Sequence, residues 1–212
     1  MSGAWGHNLL VLQSIEPIEH DLVTLEELKL ELGITGTTED AALQTRITRL
    51  SQQIAEYCDR VFALIEVEET FQFNGGRLCP CAAPQPIPLV LMQYPVTEIV
   101  SLTRDGTDIT EDQYDINTAS GLLWPRSGSW GGRIVAQYSG GYDLPEGAPA
   151  TLQSAVIEAV RQRRAFSRRD PTIREVSHDI TRAAYFSEPL NSTRGLSQSI
   201  AESIDLFRRQ YV

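Results

Sequence analysis

Between residues 43 and 73 the spacing of apolar side chains switches from a helical to a strand period, so the chain must join a packed helix directly to a sheet. Leu43, Ile47, Leu50, Ile54, Tyr57 and Val61 recur at steps of four and three, which places them along one side of an α-helix. Gln44, Arg46, Arg49, Gln52 and Glu56 fall on the other faces. Ile65, Val67, Phe71 and Phe73 then alternate with Glu66, Glu68 and Gln72, the pattern of a strand with one face buried.

The flanks carry start and stop signals. Thr24-Leu-Glu-Glu27 has the form of a capping box, in which a side-chain oxygen accepts from an otherwise unpaired N–H of the first turn. Val23 and Leu28 are placed as its hydrophobic staple, and Gly33 ends this short helix. Thr37 is expected to open the long helix, with Glu39 and Asp40 favourably negative in its first turn. After residue 73 comes a Gly-, Pro- and Cys-rich stretch, 74–88, read as a loop. Strands are expected at Leu89–Gln93, Glu98–Arg104, Gln113–Asn117 and Arg133–Tyr138, with Asp105-Gly106 as a hairpin turn and Ser139-Gly-Gly-Tyr142 closing the sheet. Pro149 is suited to the first position of a third helix, whose Leu152, Ala155, Val156, Ala159 and Val160 face inward. That helix runs into Arg161, Arg163, Arg164, Arg168 and Arg169 and stops at Asp170-Pro171.

The two ends read differently from the middle. Residues 1–20 contain only the short apolar run Leu9–Leu12 and suggest an extended arm or edge strand. Residues 170–190 show loop with weak β character. At the carboxyl end Leu196, Ile200, Ile204, Phe207 and Tyr211 form one more apolar stripe. A helix of that length is marginal alone in water, and the sequence shows no evident intramolecular partner for it. The expected fold is therefore α+β and mainly α-helical: a helical bundle with a small antiparallel β insertion and an extended C-terminal arm ending in a helix. The expected divisions are an N-terminal arm at 1–20, a helical core at 21–169 with the insertion at about 65–140, and a docking arm at 170–212.

Several function classes are disfavoured. Lys29 is the only lysine and follows no glycine-rich loop, so a Walker-type phosphate cradle is excluded. The glycines near 128–132 and 140–141 lack the strand–Gly-x-Gly-x-x-Gly–helix order of a dinucleotide site. Ser127-Gly-Ser-Trp-Gly131 imitates a nucleophile elbow only superficially, because its first residue is serine. His7, His20 and His178 are scattered, and Cys79-Pro-Cys81 is too tightly spaced for a usual zinc knuckle or an easy disulfide. No catalytic residue, metal or cofactor is expected, and the chain reads as a non-enzyme. No apolar run approaches the ~20 residues of a membrane helix, and the first residues lack the pattern of a secretory signal. A cytoplasmic site of synthesis and no membrane partner are expected.

The net charge of −10 is unevenly placed: residues 1–160 hold 8 basic and 22 acidic side chains, residues 161–212 hold 10 and 6. Five arginines within 161–169 could neutralise phosphates. With only Phe166 among them and no recognised binding motif, helix-dipole compensation and contacts to an acidic neighbouring subunit explain them better.

The ordered set of features resembles a known family. It comprises Val23-Thr-Leu-Glu-Glu-Leu-Lys29, Leu32-Gly-Ile34, the helix ending Ile54-Ala-Glu-Tyr-Cys-Asp-Arg60, and Pro95-Val-Thr-Glu-Ile-Val-Ser-Leu102. It continues with Asp112-Gln-Tyr-Asp-Ile-Asn-Thr-Ala-Ser-Gly-Leu-Leu-Trp-Pro125, Val135-Ala-Gln-Tyr-Ser-Gly-Gly-Tyr142 and Leu144-Pro-Glu146. Over residues 20–168 this is similar to the head–tail connector (adaptor) proteins of long-tailed bacteriophages and of phage-derived gene transfer agents. The resemblance implies a structural virion protein of the neck, assembled in the host cytoplasm as a homo-oligomeric, usually dodecameric ring under the portal. Such a ring extends the channel through which packaged DNA passes without sequence-specific binding, and gives the stopper or tail-completion protein a platform. Leu196, Ile200, Ile204, Phe207, Arg208, Arg209 and Tyr211 are then expected to dock on the portal or a neighbouring subunit. The alternatives are a stopper or tail-completion protein of the same neck and, from a different class, a nucleic-acid-binding factor using the arginine cluster.

Overall fold

The structure is a computed structural model and describes residues 6–13, 20–73, 88–167, 175–178, 181–184 and 195–209. The chain divides into two compact units: one joins Met1–Ile18 to Ala63–Tyr142, the other joins Glu19–Phe62 to Asp143–Val212.

The second unit is helical. Helix α1, Leu25–Leu32, starts where Thr24 accepts the Glu27 N–H on its hydroxyl at 3.1 Å and ends at Gly33, whose φ of 63° is the left-handed conformation a glycine adopts cheaply. Helix α2, Asp40–Cys58, begins three residues later than Thr37; the segment before it is a turn in which the Asp40 N–H bonds to the Thr37 carbonyl. Leu43, Ile47, Leu50 and Ile54 are fully buried along α2, whereas Val61 lies beyond the helix and is exposed. Helix α3, Ala150–Ser167, turns Leu152, Ala155, Val156, Ala159 and Val160 inward, as its spacing predicts. Helix α4, Gln198–Ile204, continues into a 3-10 turn at Asp205–Phe207. Asp21 ties the segment before α1 to α2 by accepting from Gln44 and Thr48, and the Leu22 N–H bonds to Ser51 at 3.0 Å.

The first unit is built of strands. They are β1 (Gly6–Gln13), β2 (Ile65–Phe73), β3 (Leu89–Val90), β4 (Val96–Arg104), β5 (Thr107–Asp108), β6 (Tyr114–Asn117), β7 (Leu122–Pro125) and β8 (Gly132–Gly140). Five make an antiparallel sheet in the order β1-β2-β8-β4-β5, and three make a second in the order β3-β7-β6. The N-terminal run is thus an edge strand, with Gly6 opposite Gln72 and Val11 opposite Val67. Asp105 and Gly106, at φ 49° and 81°, make the expected β4–β5 hairpin turn. A further hairpin of β9 (Glu175–His178) and β10 (Thr181–Ala184) lies in the C-terminal third.

This architecture overturns the expectation of a mainly helical bundle with a small β insertion. Residues 63–142, together with β1, are a unit with a core of their own, in which Ile65, Val67, Leu102, Leu123, Ile134 and Tyr138 are buried. The fold is α+β with strands as prominent as helices.

Buried polar groups pin this core. The Tyr138 hydroxyl donates to the buried Glu69 carboxylate, which also accepts the Met92 N–H at 2.7 Å. The Gln93 N–H donates to the Tyr138 oxygen at 3.0 Å, and the Gln93 side-chain amide donates to the carbonyls of Ala63 and Gly140 at 2.9 and 3.2 Å. Burial first, and then the neighbouring Glu69 carboxylate, push the Tyr138 hydroxyl far above its ordinary pKa. Gly141 closes the unit: at φ 116° a Cβ there would stand 2.2 Å from the Ala63 carbonyl oxygen.

Candidate interaction surface

Among the described residues no group of three or more His, Cys, Asp or Glu could hold a metal ion, and no helix is long and apolar enough to cross a membrane. The chemistry on offer is that of surfaces: apolar side chains, arginines and carboxylates.

The carboxyl-terminal stripe is the first candidate, and its position corrects an expectation. It does not lack an intramolecular partner: Leu196, Ile200 and Ile204 are buried, together with Ala201, where α4 packs on α3. The following residues lie along the end of α2. Phe207 stacks edge-on to Phe62 at 6.3 Å, the Tyr57 hydroxyl reaches Asp205 at 3.3 Å, and the Arg209 N–H bonds to the Cys58 carbonyl at 2.9 Å. The Arg208 guanidinium lies over the Tyr57 ring at 5.8 Å. Hydrophobic burial thus uses the stripe inside its own unit, and beside polar Gln198, Ser199, Glu202, Ser203 and Asp205 the segment leaves Leu206, 71% exposed, and Arg208 in solvent. Tyr211 lies outside the described residues.

Burial of this segment also silences a thiol. Cys58 is free, buried and close to the Ile204 carbonyl, and desolvation pushes its pKa up to about 11. Cys79 and Cys81 lie outside the described residues, so we expect the following in a Cys79→Ser, Cys81→Ser background. Iodoacetamide at mildly alkaline pH should modify Cys58 at least about tenfold more slowly in the native protein than in denaturant, since the protonated thiol is unreactive. Equal rates would mean that the segment does not cover it.

The arginine cluster is less available than its sequence suggests. Arg161 pairs with Glu158 at 3.0 Å, and Arg164 with Glu39 at 2.6 Å. Arg163 donates to Gln53 at 2.6 Å. Burial, and then the like charge of Arg46 on α2, lower the Arg163 pKa from its ordinary value. Arg168 and Arg169 lie outside the described residues. Beside Arg163 a cleft of about 300 Å3 opens between α3 and the start of α4, lined by Ala159, Gln162, Leu196, Ser197 and Ile200.

One surface feature escaped the sequence reading. Leu30 is 81% exposed, between exposed Glu26 and Glu31 on α1. The signal was present: in Leu25-Glu-Glu-Leu-Lys-Leu-Glu-Leu32, Leu28 faces the core, and Leu30 sits two positions on, roughly opposite on a helix. Arg46, assigned only to a polar face, likewise gave no hint that α3 would bring Arg163 to it.

Comparison with known proteins bears on this surface. Residues 22–82, which include α1, α2 and β2, match the family model for phage gp6-like head-tail connector protein. No curated protein sequence matches the chain. Several solved chains share the fold at low identity, among them the following two. A chain from the neck of an empty GTA particle, computed with C6 symmetry, superimposes with a TM-score of 0.51 at 15% identity, covering 97% of each chain. A chain from the virion of a native gene transfer agent particle gives 0.51 at 15% identity, covering 96% of each. The fold likeness therefore extends over both units, while the family signal is confined to the segment that begins with α1. Residues 22–82 are thus similar to phage gp6-like head-tail connector protein, and the fold as a whole is similar to that of chains from gene transfer agent particles.

Proposed function

We propose that the protein is a structural part of the virion neck, a connector that assembles as a homo-oligomeric ring beneath the portal and performs no catalysis. The observation that carries this reading is the family match over 22–82, supported by a fold likeness to a neck chain over 97% of the length. The ring extends the DNA channel and presents its far face to the stopper or tail-completion protein. A dodecameric ring agrees with the six-fold symmetry in that neck's description. The net charge of −10 suits a channel wall from which DNA must slide freely, because phosphate is repelled by carboxylates. The paired Arg161 and Arg164 favour this over a nucleic-acid-binding factor. Docking on the portal falls to groups the fold leaves in solvent near the carboxyl end, Leu206 and Arg208, and to Tyr211 beyond the described residues.

Deleting the gene in a particle-producing strain tests the role. DNA-filled heads and free tails that fail to join, with joining restored by the wild-type gene, are the expected result. Normal tailed particles without the protein would rule the role out.

A further inference from the structure

The ring reading requires a contact between copies, and two complementary features of the helical unit supply one. The first is a knob: Leu30, almost wholly in solvent, shares a helix face with exposed Glu26 four residues before it, and exposed Glu31 follows it on the adjoining face. The second is a socket, the cleft between α3 and α4 with its aliphatic wall of Ala159, Leu196 and Ile200. Arg163 lines the cleft and donates to Gln53 at 2.6 Å, within electrostatic reach of Arg46 on α2, and neither arginine makes an ion pair among the described residues. Two guanidinium groups sharing a partly desolvated site repel one another, and a carboxylate placed against them relieves the repulsion.

We propose that Leu30 of one copy, with Glu26 and Glu31 beside it, docks into the α3–α4 cleft of the next copy, its carboxylates against Arg46 and Arg163. The occupant is a second copy because the chain carries the complement itself, an apolar tip flanked by negative charge for an apolar cleft flanked by positive charge. DNA fits less well, since a phosphate chain offers nothing to an aliphatic wall and meets a body of net charge −10. Knob and socket are different patches, so the contact is heterologous. Each copy gives one knob and receives one, and such contacts build rings when the rotation closes. The inference rests on the ring reading, and the test separates the two.

Sedimentation velocity of the purified full chain over a concentration series measures self-association in wild type, Leu30→Asp, Glu31→Arg, Arg163→Glu and the Glu31→Arg/Arg163→Glu double variant. Leu30 and Glu31 are exposed, so those two variants keep the fold, which the helical circular dichroism of each protein verifies. Each single variant should weaken association by at least about tenfold, the loss expected of one partly desolvated contact. The double variant, which restores opposite charges across the contact, should recover most of that loss. Rings in wild type that persist undiminished in Leu30→Asp and Glu31→Arg overturn this contact and leave the ring standing. Single losses without recovery in the double variant overturn the Glu31–Arg163 pairing. A wild-type chain that stays monomeric throughout overturns the ring and the contact together. If Arg163→Glu abolishes binding of duplex DNA in a gel shift yet leaves association intact, the socket is a phosphate site and the proposal fails.

Discussion

Ile204→Ala should destabilise the helical unit by about 2–5 kcal/mol, the usual loss for deleting a buried branched side chain that leaves a cavity. Ile204 is fully buried, and it is held from both directions: α4 packs on α3, and the residues after it bond along the end of α2. Truncation after Gly195 should do more. It removes Leu196, Ile200 and Ile204 together, at about 1.5–3 kcal/mol of burial each, from a unit whose total stability is expected to be only about 5–15 kcal/mol. Urea unfolding followed by helical circular dichroism reads this unit, because α1 to α4 all belong to it. A change below about 0.5 kcal/mol for Ile204→Ala, the size typical of surface substitutions, would mean that the stripe is a loose arm awaiting a partner.

The strand unit has its own sensitive point. Tyr138→Phe should cost about 1–3 kcal/mol, because it deletes a hydroxyl that serves buried groups on both sides. The Gln93 N–H loses its acceptor, and the Glu69 carboxylate loses a donor, in a place where neither meets water. The aromatic ring and its packing are retained, so the loss isolates the hydrogen bonds from the cavity term. The helical unit contains no tryptophan, whereas Trp124 and Trp130 lie in the strand unit, and their fluorescence reports its unfolding separately from the helical signal. A midpoint unchanged in fluorescence would remove this network from the forces that hold the unit. A phenylalanine variant that loses the helical signal first would place the effect in the wrong unit.

The elements that were legible in the sequence are those whose signals are local. The capping residue Thr24, the stop at Gly33, the inward face of α3 and the Asp105-Gly106 turn each follow from a few consecutive residues, and each takes the expected place. The proportion of strand was misjudged because its signal is not local. β7, Leu122–Pro125, ends in a proline, which argues against a central strand until its register is known. Pro125 sits opposite Tyr114 at the end of a short ladder, where the missing N–H matters little. β5 is two residues long and has no periodicity to read. The carboxyl-terminal stripe shows the same limit in reverse. Its spacing announced a helix face needing cover, and nothing in the spacing could reveal that α3 would supply that cover.

The surface was legible only in its chemistry. The arginine cluster was visible, but the acids that occupy it, Glu39 and Glu158, lie far away and one turn away respectively, and only the fold brings Glu39 to Arg164. Conversely, the exposure of Leu30 was implicit in the helical wheel of α1, though a single misplaced leucine is easily overlooked. The ordered motifs between residues 20 and 168 carried the family resemblance, and the matching segment 22–82 lies within that span.

Electron microscopy of the purified full chain tests ring assembly most directly. Closed rings with an open centre, appearing from the protein alone as its concentration rises, are the predicted result. A protein that remains a dispersed monomer at every concentration, and that adds no ring-shaped density to isolated portal-bearing heads, would contradict it.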